Sequence, residues 1–196
     1  MILAFDTCGL DFSVALVKEG KIVLDYLCSE EQKQVEQLVP SIEKLLTEAG
    51  ITYSDLKAVV VTKGPGSFNG IRIGYATASA IAFAKKIPLF SISSFIAIFY
   101  QALQDKSVNF PMNFAYLLDR NSSLVQRFTH EKDYMGVPVQ VDSCALSDQD
   151  YIFSLKNFSW KNSVFSKAAA TGLAFFDFPD LMKEGEVFYG KEPSIG

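Results

Sequence analysis

The sequence predicts an α/β protein, and three observations carry that prediction. Short apolar runs joined by tight turns open the chain; helical and strand periodicities then alternate; and a glycine-rich turn, Lys63-Gly64-Pro65-Gly66-Ser67-Phe68-Asn69-Gly70-Ile71-Arg72-Ile73-Gly74, lies between a strand pattern and a long run of small residues. The length of 196 residues suits one large domain or two small ones.

Met1 to Asp6 alternates like a strand, Thr7 to Asp11 turns, and Phe12 to Val17 runs back. After Glu19-Gly20-Lys21, Ile22 to Leu27 makes a third strand, and connections this short give an antiparallel meander. Asp6, beside Thr7 and Gly9, ends the first strand. A carboxylate there suits a magnesium ion or a nucleotide phosphate, and equally suits the capping of a turn.

From Glu30 the pattern turns helical, with Val35, Leu38, Val39, Ile42, Leu45, Leu46 and Ala49 on one stripe and Gly50 as its stop. Pro40 lies inside it and predicts a bend. Such a stripe covers a sheet or meets a partner. Ser54-Asp55 caps a short turn, and Ala58 to Thr62 is a strand that feeds the glycine turn. Glycines admit backbone angles that side chains forbid, and Ser67 as N-cap places N–H groups at a helix start, where an anion fits. A closed loop with no ligand is the other reading. In the helix that follows, Gly70, Gly74, Ala78 and Ala82 recur every four residues, a small-residue stripe that lets a second helix come close. Ile71, Tyr75 and Phe83 are large and apolar on other sides, the pattern of a central helix or one that meets a partner protein.

Pro88 to Ile92 reads as a strand, and Ser93-Ser94 caps a helix through Leu103. Gln104 to Ser107 is a polar break, which divides the chain into residues 1–104 and a smaller part, 105–196. There Asn113 to Leu118 and Leu124 to Thr129 form a hairpin-like pair, Pro138 to Val141 and Tyr151 to Ser154 are weaker strands, Ser163 to Phe176 is an apolar helix, and a polar tail follows from Glu184.

Composition narrows the function classes. A net charge of −4 and a pI near 5.1 argue against autonomous binding to nucleic acid, so any RNA contact is expected to be shared with a more basic partner. The 17 Phe and 8 Tyr imply an aromatic-rich interior. Three unpaired cysteines, Cys8, Cys28 and Cys144, fit a reducing compartment. Asp6 interrupts the first apolar run, and no run reaches the ~18 residues of a membrane helix. We therefore expect a cytoplasmic protein without signal peptide or membrane contact. A metal centre needs about three protein ligands, and the sequence holds only one histidine, His130, so we expect no bound metal, no Ser/His/Asp set and no catalytic residues.

The predicted order, three antiparallel strands, helix, strand, glycine loop, helix, strand and helix, is that of half an actin-like ATPase fold. Ala4-Phe5-Asp6-Thr7, Leu38-Val39-Pro40, the motif from Gly64 to Gly74, Pro88-Leu89 with Ser93-Ser94, and Tyr189-Gly190-Lys191-Glu192-Pro193-Ser194 together resemble the TsaB (YeaZ) family, once labelled glycoprotease-like. The likeness is dense over residues 1–95, thin over 105–180, and returns at the tail.

The resemblance implies the fold of sugar kinases, heat-shock chaperone ATPase domains and actin: two lobes, each a mixed sheet flanked by helices. It also implies a non-catalytic subunit that supports a TsaD-like threonylcarbamoyltransferase, together with a TsaE-like ATPase. Their product is threonylcarbamoyladenosine beside the anticodon of tRNAs that read codons beginning with A. The tRNA would be met only through the complex. The lobes of that family meet through helices matching residues 31–49 and 70–84 here, which nominates Val35, Leu38, Val39, Ile42, Gly70, Ile71, Gly74, Tyr75, Ala78 and Ala82 as the partner interface. The same face implies a homodimer when the chain is alone, and it implies that a bulky residue at Gly74 weakens the complex without unfolding the chain. Asp6, Thr7, Gly64, Gly66, Ser67, Asn69 and Arg72 are the anion or nucleotide candidates. We expect no tightly bound cofactor, with ATP or ADP at the subunit junction left open. Two positions depart from the family pattern: Gln34 replaces a frequent His, and Asn69 a common Thr. The alternatives are an autonomous small-molecule kinase or ATPase of the same fold, and a peptidase or chaperone.

Overall fold

The computed structural model describes residues 1–103, 109–131, 138–147, 151–153, 166–177 and 183–184. The polar break at Gln104–Ser107, the division at residue 104, Ser154, the first residues of the expected last helix, and the tail motif from Tyr189 to Ser194 lie outside the described residues.

The meander forms as its pattern requires: β1 (Ile2–Asp6), β2 (Phe12–Lys18) and β3 (Lys21–Cys28) are antiparallel neighbours. β4 (Ala58–Thr62) joins β1 in parallel, β5 (Leu89–Ile92) joins β4 in parallel, and β10 (Lys183–Glu184), which no sequence pattern announces, pairs antiparallel with β5. The six-stranded order is β10-β5-β4-β1-β2-β3. β1 and β4 are buried on both faces, as central strands between helical layers must be.

Strand periodicity sorts those two faces. Leu3, Phe5, Val14, Leu16, Val59 and Val61 pack against α1 (Gln34–Glu48) and α2 (Phe68–Lys85). The other face carries Ala4, Asp6, Ser13, Ala15 and Thr62, and it receives α4 (Lys167–Asp177). Small residues there let the helix sit close. A Cβ on Gly172 would come within 2.6 Å of Val17 and 3.1 Å of Ala4.

α1 starts at Gln34 rather than Glu30, because Gln32 takes a left-handed φ of 61° just before it, and it runs unbroken through Pro40. The short turn Tyr53–Asp55 is closed by a reciprocal cap between Thr52 and Asp55. α3 (Ser94–Ala102) is capped by Ser93 and buries Phe95, Ile96, Ile98 and Phe99.

A second sheet has the order β8-β7-β6-β9, formed by β6 (Met112–Leu117), β7 (Ser122–Phe128), β8 (Val139–Asp142) and β9 (Tyr151–Phe153). Its inner face joins α3 and α4 in one core, where Phe99 stacks on Phe128 at 4.0 Å and meets Phe114 edge-on at 6.3 Å. The architecture is thus α/β with two sheets flanked by helices, as the sequence predicts. His130 sits exposed just past β7.

Candidate functional site

The glycine turn is built around the end of β1. Ser67 N donates to Cys8 O at 2.7 Å, Ser94 N to Gly64 O at 2.8 Å, and the Ser67 hydroxyl caps α2 by accepting from Gly70 N at 3.1 Å. Thr7 Oγ1 donates to Gly70 O at 2.7 Å. A Cβ on Gly66 would strike Cys8, one on Gly70 the Thr7 carbonyl, and one on Gly74 the Thr7 hydroxyl. These three glycines are therefore used for close contact between α2 and the β1–β2 turn.

Asp6 lies at the centre of this knot with no solvent exposure. Its Oδ1 accepts from Thr62 Oγ1 at 2.5 Å, and its Oδ2 stands 2.7 Å from Lys167 Nζ, whose side chain is 3% exposed. Asp11 joins them from the turn: burial raises its carboxyl above the ordinary carboxylate range, with Lys167 pulling it back and Asp6 adding to the rise. Cys8 donates toward the Thr62 carbonyl; burial, reinforced by Asp6, pushes its thiol up to about 12. Gln34, buried at the start of α1, donates to the carbonyls of Gly9, Leu10 and Asp11 at 3.1, 2.9 and 3.3 Å, and so holds the turn.

Of the anion candidates, Asp6, Thr7, Gly66 and Ser67 are thus engaged inside the chain, as is Gly64 through its carbonyl. Asn69 and Arg72 are exposed within the first two turns of α2, with the Arg72 guanidinium 3.8 Å over the Phe68 ring.

The nominated partner face is corrected in the same way. Leu38, Ile42, Gly70, Ile71, Gly74, Ala78 and Ala82 are buried in the chain's own interior. The stripe from Gly70 to Ala82 faces Thr7 and β4, because that is where a helix must come closest to the sheet. Tyr75 is half-buried. Val35 and Val39 are exposed, at 74% and 45%. For the same reason a bulky residue at Gly74 acts on the fold first and cannot report on docking alone.

The outward side of α2 carries a second small-residue stripe, Ala76, Ala80 and Ala84, offset by two positions from the buried one. With Val39, Tyr53, Thr77, Ile81 and Lys85 it lines an open, apolar groove of about 520 Å³ between α1 and α2. Phe68, 40% exposed, and Phe83, 88% exposed, stand on the same helix. This stripe was not nominated from the sequence, although its four-residue spacing could have signalled it; the structure shows that it is the one that points outward. Lys167, Asp11 and Thr62 were not nominated at all; Asp6 and Lys167 meet across 161 positions, and no local pattern reports that.

Comparison with known proteins bears on this arrangement. A family model described as TsaD: tRNA N6-adenosine threonylcarbamoyltransferase matches residues 29–194. The chain belongs to this family. Within it, about half of the chain is similar to proteins named TsaB. It is 33% identical to tRNA threonylcarbamoyladenosine biosynthesis protein TsaB of Bacillus subtilis over 47% of this chain and 41% of that one, and 34% identical to TsaB of Escherichia coli over 50% and 42%. It is 27% identical to the tRNA N6-adenosine threonylcarbamoyltransferase of Ligilactobacillus salivarius over 96% of this chain and 60% of that one. Its match therefore spans about two fifths to three fifths of the length of these relatives (41%, 42% and 60%). YeaZ from Pseudomonas aeruginosa has the same fold, with a TM-score of 0.68 at 20% identity over 91% of this chain and 92% of that one. Among the described residues, no helix is long and apolar enough to cross a membrane.

Proposed function

We propose that this chain is a non-catalytic, partner-binding subunit in the formation of threonylcarbamoyladenosine in tRNA. In this reading its α1–α2 groove receives a helix pair of a TsaD-like catalytic subunit. The observation that carries the reading is the groove itself: a stripe of Ala76, Ala80 and Ala84 open to solvent and walled by Val39, Tyr53 and Ile81. Small residues at four-residue spacing admit a helix at close distance, and apolar walls reward its arrival. Family membership supplies the partner class, since a partner related to this chain would carry a matching helical face.

In the same proposal a TsaE-like ATPase joins the assembly, and tRNA is met through it, because a chain of net charge −4 needs a more basic protein beside it to hold RNA. Without its partner the chain pairs with a second copy through the same groove. ATP or ADP at the junction would be met from this side by Asn69 and Arg72, the two exposed candidates on α2.

The test is reconstitution. The chain and its cognate TsaD-like protein should co-elute as a stable complex, and tRNA modification in vitro should require both. Full modification by the larger protein alone removes the proposal.

A further inference from the structure

The C-terminal end of α2 and the start of β5 frame a second opening, separate from the docking groove. Ala82, Phe83, Ala84, Ile87, Pro88 and Leu89 line an open, apolar groove of about 620 Å³. Phe83 stands on it 88% exposed, an unfavourable surface to leave in water. Ile87 and Leu89 also pack on the core beneath α1 and α2, so the groove is an uncovered margin of that core.

β10 aims the chain at this margin. Lys183 pairs with Ser91 and Glu184 with Phe90, so the antiparallel strand travels along β5 toward Leu89 and then Pro88. Backbone hydrogen bonding allows one pair more. Val59 N donates to Pro88 O at 3.0 Å, which turns the Pro88 backbone toward β4; by alternation Leu89 presents its N–H and carbonyl to the edge where β10 lies. Ile87 N is committed to Ala82 O at 3.1 Å, and the ladder stops there. Register also assigns the faces. Leu89 packs on the α2 face of the sheet, whereas Phe90 lies on the α4 face, 5.2 Å from the Phe175 ring. Residues directly opposite each other share a face, and a strand repeats every second residue. Position 185 therefore falls opposite Leu89 on the α2 face, with 187 and 189 after it.

The sequence at those positions is Gly185, Val187 and Tyr189. Glycine leaves the rim beside Leu89 clear, and at about 3.3 Å per residue Val187 comes about 7 Å farther on, level with Ile87 where the groove opens. We propose that residues 185–189 continue β10 and fill this groove from within the chain, with Val187 and Tyr189 against Phe83 and Ile87. Ala84 lines both this groove and the α1–α2 groove, so the seated strand borders the docking face. The inference stands without the subunit reading, and its test uses this chain alone.

The test is a disulfide trap in the full chain. Cys144, the exposed cysteine, is replaced by Cys144→Ser, while Cys8 and Cys28 are buried and stay. Under mild oxidant Phe83→Cys/Val187→Cys should crosslink within one chain. A Val35→Cys/Val187→Cys control, whose first position is 74% exposed on α1, should react slower by about tenfold or more. Hydrogen exchange is the second readout: Val187→Asp should speed exchange of the Leu89 amide by about tenfold or more and leave β4 unchanged. Crosslinked dimers in place of the internal bond would give the groove to a second copy. A trap no faster than the control, or Leu89 exchange unaltered by Val187→Asp, would leave the groove for a separate protein. Any of these results overturns the proposal.

Discussion

Gly70→Ala separates a structural latch from a phosphate cradle. In the structure a Cβ at Gly70 would run into the Thr7 carbonyl, a backbone group that cannot rotate aside. Overpacking of this kind costs about 1–3 kcal/mol, and a backbone obstacle puts this site at the upper end. Alanine in place of a helical glycine returns about 1 kcal/mol. The net loss is about 2 kcal/mol, which for a chain of this size lowers Tm by about 4–8 °C. At Gly74 the obstacle is the Thr7 hydroxyl, which can turn away by giving up its 2.7 Å bond to Gly70 O, so Gly74→Ala should cost less. Ala76→Lys, on the exposed side of the same helix, should stay within about 0.5 kcal/mol of the parent. Differential scanning calorimetry of the three variants decides the matter. A Gly70→Ala chain as stable as the parent, or more so, would refute the claim that the motif's glycines serve contact between α2 and the β1–β2 turn.

Three further outcomes follow from the buried cluster. Thr62→Val removes the donor to Asp6 Oδ1 and leaves a buried charged oxygen unsatisfied, so it should lower stability by about 2 kcal/mol while Thr62→Ser is close to neutral; urea unfolding measures both. The Cys8 thiol, raised by burial from an ordinary value of 9.0 to about 12, ionises in the unfolded chain first. Stability is therefore fully present below about pH 9 and falls at up to about 1.4 kcal/mol per pH unit above it, and Cys8→Ala should flatten that slope in Tm measured from pH 8.5 to 10.5. With Cys8 and Cys28 buried and Cys144 exposed, a thiol reagent should label one cysteine in the native chain and three after unfolding; rapid native labelling of Cys8 would contradict the packing.

How far the sequence could be read follows from which forces are local. The meander, α1, the capped turn at Tyr53–Asp55, β4, the Ser67 and Ser93 caps and α3 were all legible, since each rests on periodicity or capping within a few residues of itself. β10 was not, because a two-residue strand has no period and exists through its partner β5. The glycine motif was legible as a turn before a helix, but not in its purpose. Gly66, Gly70 and Gly74 are needed because Thr7 and Cys8, some 60 positions earlier, pass beneath them, and that proximity is a property of the sheet. α2 carries two small-residue stripes, and a helix equally small on two sides gives no sign of which will face its own sheet; β4 decides it. Gln34, read from the sequence only as a departure from the family pattern, proved to hold the Gly9–Asp11 turn from within.

The central claim is that the α1–α2 groove, and not the buried stripe, docks a larger relative. Val39→Asp and Ala80→Arg place charge on that groove at solvent-facing positions, so each should leave Tm within about 2 °C of the parent. Isothermal titration against the cognate TsaD-like protein should then show affinity reduced by about 30-fold or more, the loss expected at the centre of an interface. Undiminished affinity in both folded variants would contradict the account.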